Sequence, residues 1–141
     1  MTLNLKPAVQ RVNKLIMILK YVNHFSKLYP QSKEATSYEN YVEIGSKYIP
    51  FGILFWENYI SFAVLLKNGV SIPVFLPEDQ FEIIDNRISE NFVIGKYDTF
   101  NGLRPFLSYP EWANDISYTN RLIDGEHKAI EAFEKYKKIF A

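Results

Sequence analysis

The chain has 141 residues, of which 48% are hydrophobic, 16% aromatic and 23% charged, and its formal net charge is zero. This length and composition predict a single globular domain over residues 1–141. The absence of cysteine excludes a disulfide framework and thiolate-based zinc or redox sites. The balanced charge argues against nucleic-acid binding, in which net positive charge supplies much of the affinity.

The N-terminal third is predicted to contain two helices. Residues 7–28 favour the first, because Pro7 suits an initial helical turn and the apolar residues that follow recur at helical spacing. Basic residues without any acid occupy the chain up to position 33, and we expect them on the solvated face of this helix. The segment Thr36–Glu39 is typical of a capping box, so a second, shorter helix is expected to run to about Lys47.

Residues 51–77, FGILFWENYISFAVLLKNGVSIPVFLP, form a strongly apolar stretch. They do not predict a membrane-spanning helix, which needs about 20 uninterrupted apolar residues, because Glu57-Asn58 and Lys67–Gly69 divide them. Both interruptions are turn signals, and Asn68-Gly69 is the typical sequence of a two-residue hairpin loop. We therefore predict three antiparallel strands joined by these turns.

A two-residue loop at Asn68-Gly69 fixes the expected register of the second hairpin, with Ala63 opposite Val74. In that register Phe62 and Phe75 share one face, and both faces are apolar. A sheet with one wet face should alternate polar and apolar residues, so we expect cover on both sides, from the chain's own helices or from another protein. The proline within the last strand cannot donate a ladder hydrogen bond, which predicts an edge strand.

Helix and strand are predicted to alternate after Pro77. Acidic residues at the start of segment 78–90 suit a helix N-terminus, and this segment is expected to be helical. Residues 91–97 are expected to form a strand, and residues 98–107 a loop, or a loop with a short strand.

Two further helices are predicted at the C-terminal end. The first begins after Tyr109-Pro110, and Asp124-Gly125 separates it from a last helix that ends near Phe140. The predicted fold is therefore α+β. It is an antiparallel sheet of about four to five strands, with hairpins around Glu57-Asn58 and Asn68-Gly69, packed by N-terminal and C-terminal helices.

The sequence carries no motif that predicts catalysis. Its six glycines do not cluster into a phosphate-binding loop, and its two histidines lack metal-ligand spacing. Asp115 and Glu126–Lys128 have the acid-plus-Glu-x-Lys spacing of metal-dependent nucleases, but such matches are frequent in a chain this charged. We expect a protein that is not an enzyme and needs no cofactor or metal ion.

An acidic stretch, relieved only by Arg87, follows the apolar segment. Acidic surfaces steer basic proteins into contact and select against wrong partners. We therefore expect a non-catalytic protein-binding domain, of the kind exemplified by small bacterial immunity or antitoxin proteins, that neutralises a basic partner such as a nuclease toxin. An alternative is that the basic N-terminal and acidic segments neutralise each other. The expected contact residues are Glu78, Asp79, Glu82, Asp85 and Glu90.

Two other interpretations fit the same sequence. The doubly apolar hairpin could pack against a second copy in a homodimer, with Phe62 and Phe75 at the interface. An aromatic-lined pocket around Trp56 or Trp112 could bind a small ligand. Neither interpretation involves a membrane. The apolar run near the N-terminus is too short for a signal peptide, so a cytoplasmic location is expected.

Overall fold

The computed structural model describes residues 16–28, 38–67 and 71–140, with Glu39 described by its backbone alone. Within these ranges the chain has eight strands and three α-helices, which confirms the predicted α+β class. The strands are β1 (Ile18–Tyr21), β2 (Lys47–Tyr48), β3 (Gly52–Phe55), β4 (Ile60–Val64), β5 (Val74–Pro77), β6 (Phe81–Asp85), β7 (Val93–Thr99) and β8 (Gly102–Ser108). The helices are α1 (Pro110–Ala113), α2 (Tyr118–Ile123) and α3 (His127–Phe140).

The strands form two antiparallel sheets. The three-stranded sheet has the order β2-β1-β6, and the five-stranded sheet has the order β5-β4-β3-β8-β7. Phe55 of β3 lies opposite Ile60 of β4, so this hairpin turns around Glu57-Asn58 as predicted. β5 lies at an edge of the five-stranded sheet, in the position expected from the proline that precedes it.

The five-stranded sheet is the middle layer of the molecule. One face packs against the helices through a core that includes Leu54 and Phe106. The opposite face packs against the three-stranded sheet through a core that includes Ile53, Phe62 and Leu19. Because neighbouring residues of a strand point to opposite faces, the apolar β3–β4 hairpin supplies both cores. The hairpin is therefore covered on both sides within the chain.

The five-stranded sheet curls strongly around its helix-facing side. Phe75 of β5 and Tyr97 of β7 belong to strands at opposite edges, yet their ring centroids are 4.8 Å apart. Gly95 allows the end strand to meet α1, because a Cβ atom there would lie 1.6 Å from the carbonyl oxygen of Ala113. Gly52 leaves room for the Phe106 ring, which a Cβ would approach to 2.6 Å. The two glycines thus permit the close packing that closes the curled sheet over aromatic rings.

Three predicted helices are wrong where the structure describes them. Residues 16–28 hold strand β1 instead of a helix, since Leu19 and Tyr21 alternate with half-buried neighbours and pair with β2 and β6; residues 7–15 lie outside the described part. Segment 38–47 contains a 3-10 turn, Glu39–Tyr41, and the first residue of β2 in place of a helix. Segment 78–90 contains a 3-10 turn and then β6, because pairing with β1 favours its β-branched isoleucines as a strand.

The register of the β4–β5 pair differs from the prediction by one residue. Ala63 lies opposite Phe75 and not opposite Val74. A shift of one residue moves every side chain of a strand to the other face, so Phe75 joins the helix-side core while Phe62 faces the three-stranded sheet. The predicted turn at Asn68-Gly69 lies outside the described residues.

The C-terminal region follows the prediction more closely. β7 occupies the segment expected as a strand, and β8 is a full seven-residue strand where only a loop or a short strand was expected. Asp124-Gly125 separates α2 from α3 as predicted, with Gly125 at a φ of +76°. The helix expected after Tyr109-Pro110 is divided into α1 and α2.

Candidate functional site

The two residues expected at an apolar interface lie inside the fold. Phe62 is fully buried, and its ring meets that of Phe81 edge-on at a centroid distance of 5.7 Å. Phe75 is half-buried and packs on the rings of Tyr97, Phe106 and Trp112. The expectation of a surface through Phe62 and Phe75 is therefore corrected, because the chain itself covers both faces of the hairpin.

Glu78 and Asp79 are half-buried and make hydrogen bonds within the fold. A Glu78 carboxylate oxygen accepts from the backbone N–H of Ile60 at 3.0 Å, and an Asp79 oxygen accepts from the backbone N–H of Lys27 at 2.6 Å. The other Asp79 oxygen is buried and has no hydrogen-bond partner within the described ranges. Asp79 is thus a structural residue, whereas Glu78 retains a second carboxylate oxygen beside the start of β4.

The other three predicted contact residues lie elsewhere. Asp85 forms an ion pair with Arg87, whose side-chain hydrogen bonds lower the pKa of Asp85 to about 2. Glu82 is exposed on β6, directly across the strand pair from Lys20 of β1. Glu90 is exposed in the turn after β6. Glu82 and Asp85 therefore each lie next to a cation of the chain.

Three aromatic side chains meet where two hairpin turns lie side by side. Trp56 and Tyr59 flank the Glu57-Asn58 turn and stack, with ring centroids 5.9 Å apart and an interplanar angle of 16°. Phe100, in the β7–β8 turn, lies at a centroid distance of 5.6 Å from Trp56. Phe100 is 73% exposed, and Trp56 and Tyr59 are half-buried. We refer to Trp56, Tyr59 and Phe100 as the aromatic tip.

Hydrogen bonds hold both turns of the aromatic tip in place. The backbone N–H of Trp56 donates to the carbonyl of Tyr59 at 2.9 Å, and its indole N–H donates to the Ser61 hydroxyl at 2.8 Å. In the other turn, the Thr99 hydroxyl donates to the carbonyl of Gly102 at 2.7 Å. Rings fixed in this way lose little conformational entropy when a partner covers them.

Three carboxylates adjoin the aromatic tip. Glu57 follows Trp56 and is exposed, Asp98 is exposed two residues before Phe100, and Glu78 is bonded to the residue after Tyr59. Within the described ranges, no ion pair involves any of these three carboxylates. Exposed aromatic faces attract cations through their quadrupole, and unpaired carboxylates add Coulomb attraction. This arrangement is suited to lysine or arginine side chains.

Sequence reasoning missed most of this site, since it named only Glu78, as a contact residue, and Trp56, as part of a possible ligand pocket. Glu57 and Phe100 lie in turns, where a polar or aromatic residue gives no periodic signal. The sequence Trp-Glu-Asn-Tyr at 56–59 carries the usable signal, because two aromatic residues flank a polar turn that projects from a sheet. The contact with Phe100 depends on the sheet order β3-β8 and could not be read locally.

Two buried tyrosines, Tyr109 and Tyr118, form a hydrogen-bond network that reaches α3. The Tyr109 hydroxyl donates to that of Tyr118 at 2.9 Å, and the Tyr118 hydroxyl donates to the carbonyl of Ala129 at 2.7 Å. Tyr109 and Tyr118 are 0% and 1% exposed. Burial raises the pKa of both phenols, which keeps them neutral donors. The network is therefore built to join the sheet, α2 and α3 and not to meet a substrate.

The nuclease-like carboxylates do meet in space, but around an arginine. The Arg121 guanidinium forms ion pairs with both Asp115 and Glu126, and these contacts lower the pKa of Glu126. An arginine held between two carboxylates occupies the place that a metal ion would need. No group of three or more His, Cys, Asp or Glu side chains in the described part of the chain is arranged to hold a metal ion.

The chain matches no family model, no curated protein and no solved structure. No described helix has the length and apolar character required to cross a membrane. The aromatic tip with its three carboxylates is accordingly taken as the candidate site on its geometry alone.

Proposed function

We propose that this protein is a non-catalytic binding domain that captures a basic segment of another protein at the aromatic tip. One observation carries the proposal: a cluster of rings led by the exposed Phe100 adjoins three carboxylates that have no ion-pair partner among the described residues. Aromatic residues are enriched at the energetic centres of protein interfaces. Phe100 is 73% exposed, so its ring is accessible to a partner.

The two parts of the site have different tasks in this proposal. The ring faces of Trp56 and Phe100 receive the alkyl chains and cationic heads of lysine or arginine side chains. Glu57, Glu78 and Asp98 attract the partner from a distance and set its orientation, so they act mainly on the association rate. A partner bound in this way should be strongly basic, and its association should weaken as salt is added.

A small acidic-faced domain of this kind suits the neutralisation of a basic toxin such as a nuclease. The aromatic tip would then cover the cationic groups with which the toxin holds phosphate. This assignment to an immunity or antitoxin role rests on physical type, since function depends on the site and not on the α+β fold. It predicts a one-to-one complex in which the toxin is inactive.

The test uses a defined probe before any natural partner is known. A lysine- and arginine-rich peptide of about ten residues should quench or shift the fluorescence of Trp56, and the signal should vanish in Trp56→Phe. Phe100→Ala should weaken binding by about 30-fold, equivalent to about 2 kcal/mol for a hot-spot aromatic residue. A matched glutamate-rich peptide should give no signal.

The matched control removes an exposed apolar residue elsewhere. Ile123→Ala truncates a side chain that is 59% exposed on α2, and it should leave peptide binding unchanged. Equal losses in Phe100→Ala and Ile123→Ala, or binding of the acidic peptide, would remove the aromatic tip as the binding site.

A further inference from the structure

A second surface lies at the other end of the β3–β4 hairpin. It is a groove of about 530 Å³ lined by residues of β1, β2, the β2–β3 connection, the segment after β4 and the end of α3. Strand β4, Ile60–Val64, lies between the aromatic tip and the groove residues Leu65 and Lys67. At about 3.4 Å per extended residue, this strand alone separates the two surfaces by roughly 14 Å. The groove is therefore independent of the aromatic tip.

The floor of this groove is apolar. Phe51 and Phe140 are buried and meet edge-on at a centroid distance of 5.2 Å. Ile18, Ile49 and Leu65 are half-buried beside them. The five side chains come from β1, the β2–β3 connection, the segment after β4 and α3, so the groove lies where the layers of the molecule join. A concave apolar surface of this size falls in the range of small-molecule sites, about 300–1,000 Å³.

The described rim of the groove is basic. Lys47, Lys67 and Lys137 line it, and no acid is among its described lining residues. Lys47 and Lys67 form no ion pair with any described residue. Lys137 lies 3.3 Å from a carboxylate oxygen of Glu134, an exposed contact between neighbours on one helix that contributes little and is easily exchanged. We refer to this surface as the basic groove.

We propose that the basic groove binds a monomeric long-chain carboxylate, of the fatty-acid type. The carboxylate would meet the ammonium groups of Lys47 and Lys67, and the alkyl chain would lie on Leu65 and the phenylalanine rings. The negative carboxylate of such a ligand complements the positive rim of the groove. The alkyl chain covers the apolar side chains of the floor and removes them from water. A short anion lacks the apolar contact, and a cationic amphiphile meets three like charges.

The test measures binding of dodecanoate, below its micelle concentration, by titration calorimetry and by chemical shifts of the Leu65 methyl groups. We expect saturable one-to-one binding with shifts confined to the basic groove. Acetate at the same concentration and dodecyltrimethylammonium, which has the same chain with a positive head, should not bind. Equal binding of the cationic amphiphile would overturn the proposal.

Two charge variants locate the site. Lys47→Glu with Lys67→Glu should weaken dodecanoate binding at least about tenfold for each lost charge-assisted contact. Lys96→Glu with Lys128→Glu makes the same change of charge at exposed positions outside the groove and should not. If the first variant does not fold, Lys47→Gln with Lys67→Gln tests the same contacts with a smaller change. An unchanged affinity in either groove variant contradicts the proposal.

A membrane surface is the competing source of the same chemistry. Phosphatidylcholine vesicles that contain dodecanoate would bind the protein, while monomeric dodecanoate would not, if the groove recognised lipid in a bilayer. That outcome would refute a monomeric ligand. It would leave the peptide binding proposed for the aromatic tip untouched, because that binding is measured with a different probe at the other end of the molecule.

Discussion

Replacing Tyr118 by phenylalanine should destabilise the protein far more than the loss of one oxygen atom suggests. The Tyr118 hydroxyl accepts from Tyr109 and donates to the carbonyl of Ala129, and both tyrosines are essentially fully buried. Tyr118→Phe leaves the buried Tyr109 hydroxyl without its acceptor, at a cost of about 1–3 kcal/mol, and removes a hydrogen bond to the carbonyl of Ala129, worth about 1 kcal/mol. That carbonyl lies in α3 and keeps its helical hydrogen bond. The free energy of unfolding should therefore fall by about 2–4 kcal/mol.

The control for this prediction is Tyr136→Phe. The Tyr136 hydroxyl bonds to a carboxylate oxygen of Glu111 at 3.2 Å, and that carboxylate is 39% exposed. Water can replace a lost bond there, so the expected cost is below about 1 kcal/mol. The two substitutions remove the same oxygen atom from the same residue type. A larger loss of unfolding free energy in Tyr118→Phe would therefore come from leaving a buried group unpaired and not from the loss of a hydroxyl as such.

A double-mutant cycle gives a sharper result. Tyr109→Phe alone leaves the Tyr118 hydroxyl bonded to Ala129, and adding it to Tyr118→Phe removes the hydroxyl that Tyr118→Phe leaves unpaired. The double variant should therefore cost less than the sum of the single variants, with a coupling of about 1 kcal/mol or more. Urea unfolding at constant m value measures all four proteins. A cost for Tyr118→Phe no larger than that for Tyr136→Phe would refute the argument.

The remaining predictions concern packing, ionisation and binding. Gly95→Ala should destabilise the fold by about 3 kcal/mol or more, because the new methyl group meets the Ala113 carbonyl, whereas the adjacent exposed Lys96→Ala should stay within about 0.5 kcal/mol; thermal unfolding compares them. Arg87→Ala should return the pKa of Asp85 from about 2 towards its ordinary value of 3.8, measured by a carboxyl NMR titration. Because the folded pKa is depressed, any stability from this pair is present above about pH 4 and is lost as the pH falls towards 2. An Asp85 pKa that is unchanged in Arg87→Ala would show that Arg87 does not depress it. In the binding site, Glu57→Lys with Asp98→Lys should slow association with a basic peptide about tenfold at low salt, and stopped-flow fluorescence at two salt concentrations checks this; an unchanged rate would exclude steering by these acids.

Local signals in the sequence predicted those parts of the fold that local chemistry decides. Asp124-Gly125 ends a helix because a glycine at positive φ is a local signal for a helix C-terminus. The Glu57-Asn58 turn follows from polar residues between two β-rich runs. The apolar character of both hairpin faces correctly indicated that both faces are buried against other parts of the protein. It did not show that a second sheet covers one of them.

Features that depend on pairing partners could not be predicted in the same way. Strand β1 has only four residues, which is too short for their alternation of buried and half-buried side chains to give a clear strand pattern. The apolar residues around it recur at helical spacing over a longer window, and that pattern predicted a helix. The acids at 78 and 79 satisfy the helix N-terminus rule, yet they belong to a single 3-10 turn before β6. The one-residue error at Ala63 arose from assuming the shortest loop, and it reversed the face assigned to Phe75.

The candidate site shows the same limit. The acidic residues were contiguous in sequence, but β6 carries Glu82 and Asp85 to the edge of the three-stranded sheet while Glu78 stays beside Ile60. Closeness along the chain therefore does not show which of these acids share a face of the fold. Trp56 and Phe100 are 44 positions apart and meet only because β3 pairs with β8.

The central claim is that the aromatic tip captures a basic protein. The most direct measurement compares what three tagged proteins retain from native cells at low salt: the wild type, a tip variant (Phe100→Ala, Glu57→Lys, Asp98→Lys) and a control with matched changes (Ile123→Ala, Glu82→Lys, Glu90→Lys). We predict one stoichiometric basic protein on the wild type and the control, absent from the tip variant and released from the other two by salt. Retention of that protein by the tip variant, with loss from the control, would contradict the claim and return the binding surface to β6.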